Sequence, residues 1–166
     1  NGSVGIAFTY NEPIVGYEMM YRLAQKSRAA GLLTAVISNG FICTKPLKAL
    51  IPYIDAWNID LKMADDVTYR RICGGTMEDV LRTIRICHEM CHVEVTTLLI
   101  EGLNTGCGQV DRIARAVADI SPDIPLHLTR YFPAFRRTTP ATPLQTIYEA
   151  QETAMKHLKY VYLGNV

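Results

Sequence analysis

Charge of one sign is scarce in this chain: 17 lysines and arginines face 16 aspartates and glutamates, a net of +1, with no basic stripe or charged tail. That balance argues against a nucleic-acid or anionic-membrane partner. No apolar run approaches the roughly 18–20 residues of a spanning helix, and no signal peptide opens the chain. An even set of cysteines is missing too. The five present stand at positions 43, 73, 87, 91 and 107, whereas a secreted disulfide framework would show pairs, so a reducing cytoplasmic setting is expected. The phosphate-cradling patterns GxxxxGKS and GxGxxG are absent, which leaves Gly102, Gly106 and Gly108 as an ordinary loop. What remains is 166 residues, 49% of them hydrophobic. That is a length for one domain, 1–166, with a core of its own.

Strand-length apolar runs alternate with helical periodicity. The runs are Val4–Tyr10, Leu32–Ile37, Ala56–Leu61, Val93–Ile100, Leu126–Tyr131 and Tyr160–Leu163. Helices are expected over Ile14–Ala30, with Met19, Met20, Leu23 and Ala24 on its apolar side, and over Lys45–Leu50, Met77–Met90, Val110–Ile120 and Pro143–Leu158. A helical turn over Asp65–Ile72 ends at Gly74-Gly75. The alternation predicts an α/β fold of β–α–β crossovers around a parallel sheet, open or curled into a barrel. The chain starts inside a strand and stops in one, as a fragment of something longer would.

In such folds the site lies at the carboxyl ends of the strands. Those ends read Tyr10-Asn11-Glu12-Pro13, Ser38-Asn39-Gly40, Asn58-Ile59-Asp60-Leu61-Lys62, Thr96-Thr97 and Arg130-Tyr131-Phe132. Period two puts Asn58, Asp60 and Lys62 on one face of the third strand, and a polar face suits a strand that looks into a lumen. A carboxylate and an ammonium two residues apart suit a zwitterionic ligand or a ribose; a structural Asp60–Lys62 pair is the plainer alternative. Glu12 alone reads equally as a helix cap, and Asn39-Gly40 as a turn.

Taken in order, and joined by Ile72-Cys73-Gly74-Gly75, Val95–Ile100 and the closing Tyr160–Val166, these motifs resemble those of radical S-adenosylmethionine enzymes. The branch most similar is that of the AmmeMemoRadiSam system enzymes, relatives of the pyruvate formate-lyase activating enzymes. The resemblance implies a partial TIM-type (βα)6 barrel of parallel strands, truncated at its N-terminus. It also implies S-adenosylmethionine as cofactor, held by Asn11 and Glu12 at its ammonium, with Asn39 lining the pocket and Asp60 and Lys62 reaching its ribose and carboxylate. In the complete protein a 4Fe–4S cluster would reductively cleave the cofactor, and the radical so formed would take hydrogen from a substrate. A glycine of a partner protein and an electron donor are the partners this implies.

The departures are specific. Thr96 stands where activating enzymes carry an arginine, and Phe132, with Arg130 before it, stands where they carry a histidine. The CxxxCxxC loop that holds the cluster is absent, so no metal ligands and no catalytic residue are assigned here. Cys87 and Cys91 share a CxxxC spacing without a third cysteine at the right interval and read as ordinary packed thiols, while Cys43, Cys73 and Cys107 are unpaired by any spacing rule and read as structural. His127 reads as a core or flank histidine. His157 reads as a basic residue suited to a helix end, and the Met19-Met20 pair as core. Two other classes compete with the enzyme fragment: a parallel-barrel lyase or aldolase with Lys62 as Schiff-base lysine, and a non-catalytic binding module.

Overall fold

Residues 2–106 and 108–166 are described by a computed structural model of the chain. Six strands form one open sheet in the order of the sequence: β1 (Gly5–Phe8), β2 (Leu33–Ser38), β3 (Ala56–Asp60), β4 (His92–Leu99), β5 (Leu126–Arg130) and β6 (Val161–Gly164). The pairings β1–β2, β2–β3, β4–β5 and β5–β6 are all parallel. Between them lie α1 (Tyr17–Ala29), α2 (Thr44–Leu50), α3 (Asp66–Cys73), α4 (Met77–His88), α5 (Gln109–Ala118) and α6 (Leu144–Ala154). The chain divides into two compact units, the first reaching Asp60 and taking in Glu78–Glu94, the second formed by Leu61–Met77 and Val95–Val166.

In the first unit the strands are asymmetric. Trp57 and Ile59 of β3 are buried, while Asn58 and Asp60, which alternate with them, are only half-buried. Thr34, Val36 and Ser38 are the buried set of β2. Met20 and Ala24 of α1, Leu47 and Leu50 of α2, and Val80 and Ile84 of α4 supply the helical side of this core. The expected apolar side of α1 needs correction. Met19 is 67% exposed and Leu23 also lies in water, whereas Ser27 is buried and bonds back to the Leu23 carbonyl at 2.8 Å. The buried stripe is thus 20, 24, 27, the i, i+4, i+7 set that one helix face allows. The helix also starts later than its pattern suggests, because Pro13–Gly16 forms a separate 3-10 turn.

In the second unit Val95, Thr97 and Leu99 of β4, Leu126 and Leu128 of β5, and Val161 of β6 are buried, with Ile113, Ala114 and Val117 of α5 and Ile147, Ala150 and Ala154 of α6. Gly74 ends α3 at φ +75°, a left-handed cap that a side chain would strain. His157 falls beyond α6, which stops at Ala154, and its Nε2 lies 2.8 Å from Asp111 of α5. It clasps two helices rather than completing the end of one.

Candidate functional site

The first unit gathers several of the predicted residues at the carboxyl ends of β1 and β2. The chain leaves β1 through Tyr10, held at φ +53°, and Asn11, both exposed. Glu12 then caps the 3-10 turn by accepting the Ile14 N–H at 3.2 Å. Its carboxylate also accepts the Ser38 hydroxyl at 2.8 Å and the Asn39 N–H at 2.7 Å. The cap and the ligand readings of Glu12 are therefore not rivals: three donors take three of its roughly four acceptor positions, and one is left.

Asn39 folds back as an Asx turn, its Oδ1 accepting the Phe41 N–H at 2.8 Å, and the Ser38 hydroxyl accepts the Gly40 N–H at 3.0 Å. Gly40 itself sits at φ +75°, where a Cβ would lie 2.8 Å from Ile59 Cγ2 and 3.1 Å from Val80 Cγ1. Its carbonyl accepts the buried Thr83 hydroxyl at 2.7 Å. The turn is held from both sides. In register, Ile37 pairs with Asn58 and Ser38 with Ile59; Asn39 and Asp60 each follow that last pair by one residue. Asp60 ends β3, half-buried, on the same face as Asn58.

Lys62 belongs to the second unit. It is half-buried, and its backbone is fixed: the carbonyl accepts Asn104 Nδ2 at 2.8 Å and the N–H reaches the Tyr69 hydroxyl at 3.4 Å. Asn104 was not singled out by sequence. It is buried, donates also to the Leu98 carbonyl at 2.8 Å, and accepts the Ile100 N–H at 2.7 Å, satisfying three backbone groups at once. Its one sequence signal is position, in the loop directly after β4. Thr97, also buried, donates to the Leu61 carbonyl at 2.7 Å, so of the Thr96-Thr97 pair only Thr96 lies on the more open face. It stands in register with His127, and His127 with Tyr162, whose ring centroid is 5.4 Å away. Arg130 turns its Nε to the Thr142 carbonyl at 2.7 Å and lies over the Phe132 ring at 4.7 Å.

The thiols divide by exposure. Cys43 and Cys73 are exposed, and Cys107 lies outside the described residues. Cys87 is buried in α4; its thiol is raised first by the hydrogen bond it shares with Cys91 and then by burial, and that same bond lowers Cys91. Cys91 also points its sulfur at the Cys87 carbonyl, 3.2 Å away. Among the described residues no group of three or more His, Cys, Asp or Glu side chains is placed to hold a metal. An iron–sulfur cluster does not fit the donors among the described residues. Among the described residues no helix is long and apolar enough to cross a membrane.

The profile of the Radical SAM superfamily matches residues 1–112. An uncharacterised protein of Methanocaldococcus jannaschii is 39% identical over 166 residues, covering 98% of this chain and 49% of its own length. The indoleacetate decarboxylase activating enzyme of Tractidigestivibacter scatoligenes is 26% identical over 117 residues, 69% of this chain and 37% of that protein. The chain thus spans half or less of the curated relatives it matches. In fold it is similar to a crystallised domain of the pyruvate-formate lyase-activating enzyme from Bacteroides vulgatus, with a TM-score of 0.83 at 18% identity, covering 99% of this chain and all of that one.

Proposed function

Because this chain belongs to the radical S-adenosylmethionine superfamily, we propose that it is the central and C-terminal part of such an enzyme's barrel and carries much of the S-adenosylmethionine pocket. The observation that carries this reading is the Glu12 corner. A carboxylate at the exit of β1 is locked to the exit of β2 by the Ser38 hydroxyl and the Asn39 N–H, with one acceptor position left over. That is a suitable counter-charge for the cofactor's ammonium. Asn11 adds an exposed polar group beside it. Asp60 offers acceptors to ribose hydroxyls, and Lys62 offers a cation to the cofactor carboxylate.

The complete enzyme, on this reading, is an oxidoreductase of activating-enzyme type that cleaves the cofactor with the help of a 4Fe–4S cluster and takes hydrogen from a substrate, a glycine of a partner protein being the form the resemblance implies. The cluster's ligands belong to the part of the full-length protein outside this chain. Family membership favours this over the Schiff-base reading of Lys62.

Calorimetry with S-adenosylmethionine on the complete, cluster-loaded protein tests it. Glu12→Gln and Lys62→Met should each weaken binding by about 1–3 kcal/mol, the range for a hydrogen bond to a charged group, and His127→Gln should change little. Because Glu12 also accepts three hydrogen bonds, thermal unfolding of the same variants separates a displaced corner from a lost contact. Unchanged affinity in both charged-site variants would return Glu12 and Lys62 to a purely structural role.

A further inference from the structure

The chain is balanced in charge as a whole, yet between Asp123 and Glu149 it carries no acidic residue while Arg130, Arg136 and Arg137 fall within that span. None of the three arginines enters an ion pair among the described residues. Arg130 ends β5, half-buried, and Arg136 and Arg137 lie on the loop that leaves it, where residues 132–138 are all exposed. At its tip Phe135 is 94% exposed and sits at φ +54°, a left-handed backbone that a bulky residue rarely adopts. The Arg136 guanidinium lies 5.1 Å from the Phe135 ring centre, and the Arg130 guanidinium 4.7 Å from that of Phe132. An aromatic ring held in water beside a guanidinium, as Phe135 is, gains nothing from burial within this chain.

The loop is exposed but tied at its base. Thr142 is fully buried and donates its hydroxyl to the Leu99 carbonyl at 2.6 Å and its N–H to the Tyr131 carbonyl at 3.1 Å. The Tyr131 hydroxyl donates to the Arg137 carbonyl at 3.1 Å, and the Arg137 N–H closes a turn on the Ala134 carbonyl at 3.1 Å. A tip fixed in this way loses little conformational freedom on binding.

We propose that the loop Phe132–Arg137 is a docking surface for an acidic segment of a partner protein, with Phe135 as the apolar anchor and Arg136 and Arg137 as carboxylate clamps. Arginine's planar fork pairs with carboxylates through two parallel hydrogen bonds, and stacking on a ring leaves its N–H edge free to do so. Aromatic side chains and arginine, without lysine, are the composition of interface hot spots. A duplex would need about 6–10 phosphate contacts for the salt-sensitive affinity that DNA-binding proteins show. A membrane-surface patch usually carries about 4–8 Lys or Arg. Three arginines and one protruding ring are too few for either. This inference stands on the loop alone and does not depend on the S-adenosylmethionine reading.

The test is fluorescence anisotropy with the full chain and three labelled probes: a peptide of glutamates around a central leucine, a single-stranded oligothymidylate, and phosphatidylserine vesicles. The peptide should bind at micromolar to millimolar concentration and weaken at least tenfold with Arg136→Glu/Arg137→Glu, while Arg136→Lys keeps an intermediate affinity. Phe135→Gly should lose affinity without losing thermal stability, since glycine accepts the left-handed backbone. Peptide binding indifferent to the charge reversal, or absent up to millimolar peptide, would overturn the proposal. So would tighter, reversal-sensitive binding of the oligonucleotide or the vesicles.

Discussion

Two strand exits of this protein are built on opposite principles. After β2, Ser38, Asn39 and Gly40 bond to Glu12, Phe41 and Thr83, and the polar groups face one another. After β5, the chain is tied at its base and its loop holds two phenylalanines and two arginines toward solvent. The first exit has spent most of its hydrogen-bonding capacity on fixing geometry and keeps one acceptor position on Glu12. The second has kept its capacity for something outside the chain. Shape is set where donors and acceptors close on themselves, and recognition is left where they do not.

The sharpest way to break the contrast is Gly40→Ala. It sets a Cβ against Ile59 and Val80 and strains a positive φ, so denaturant unfolding should show a loss of about 2–4 kcal/mol, combining left-handed strain with overpacking. At the other exit, Thr142→Val removes a buried donor and leaves the Leu99 carbonyl without it, for a loss of about 1–3 kcal/mol. Amide exchange should rise in Phe132–Arg137 and stay unchanged around Gly40. Phe135→Gly should be neutral or stabilising by up to about 1 kcal/mol in the same denaturation assay, because the left-handed strain is relieved. A marked loss there would mean that the tip is packed and the contrast drawn too strongly.

The smallest effect expected is a pH dependence at α3. The Thr68 N–H, and after it Gln109, hold the Asp65 carboxyl below its usual range. A carboxyl lowered in the folded state stabilises above its unfolded pKa, and that contribution is lost as pH falls through the folded one. Asp65→Asn should therefore flatten the acid limb of the melting curve below about pH 4. At neutral pH it should cost little, since asparagine also caps helices well.

Much of this was legible in the sequence because single periods governed it. The alternation in Trp57-Asn58-Ile59-Asp60 named the buried and the open face of β3 before any coordinate did. Gly74 and Gly31 marked real helix ends, each at positive φ. Elsewhere two signals overlapped. Met19 and Leu23 look as apolar as Met20, but one helix face cannot take all three, and which residues it takes is set by the sheet beneath. Glu12 was readable as cap or ligand because local sequence does not show that Ser38 and Asn39 arrive from 26 and 27 residues away to share its oxygens. Asn104 and Thr142 were missed for a related reason: their partners are backbone groups, which leave no trace in a residue pattern.

The chain has a single tryptophan, Trp57, buried in β3 of the first unit, and its indole N–H is left without a partner. Its intrinsic emission is therefore an optical reporter seated in that unit, reading out the apolar surroundings of β3. The nine tyrosines are spread over both units. Following tryptophan emission excited at its red edge alongside the tyrosine near-ultraviolet signal during one titration would show whether the two units melt as one cooperative body or in succession.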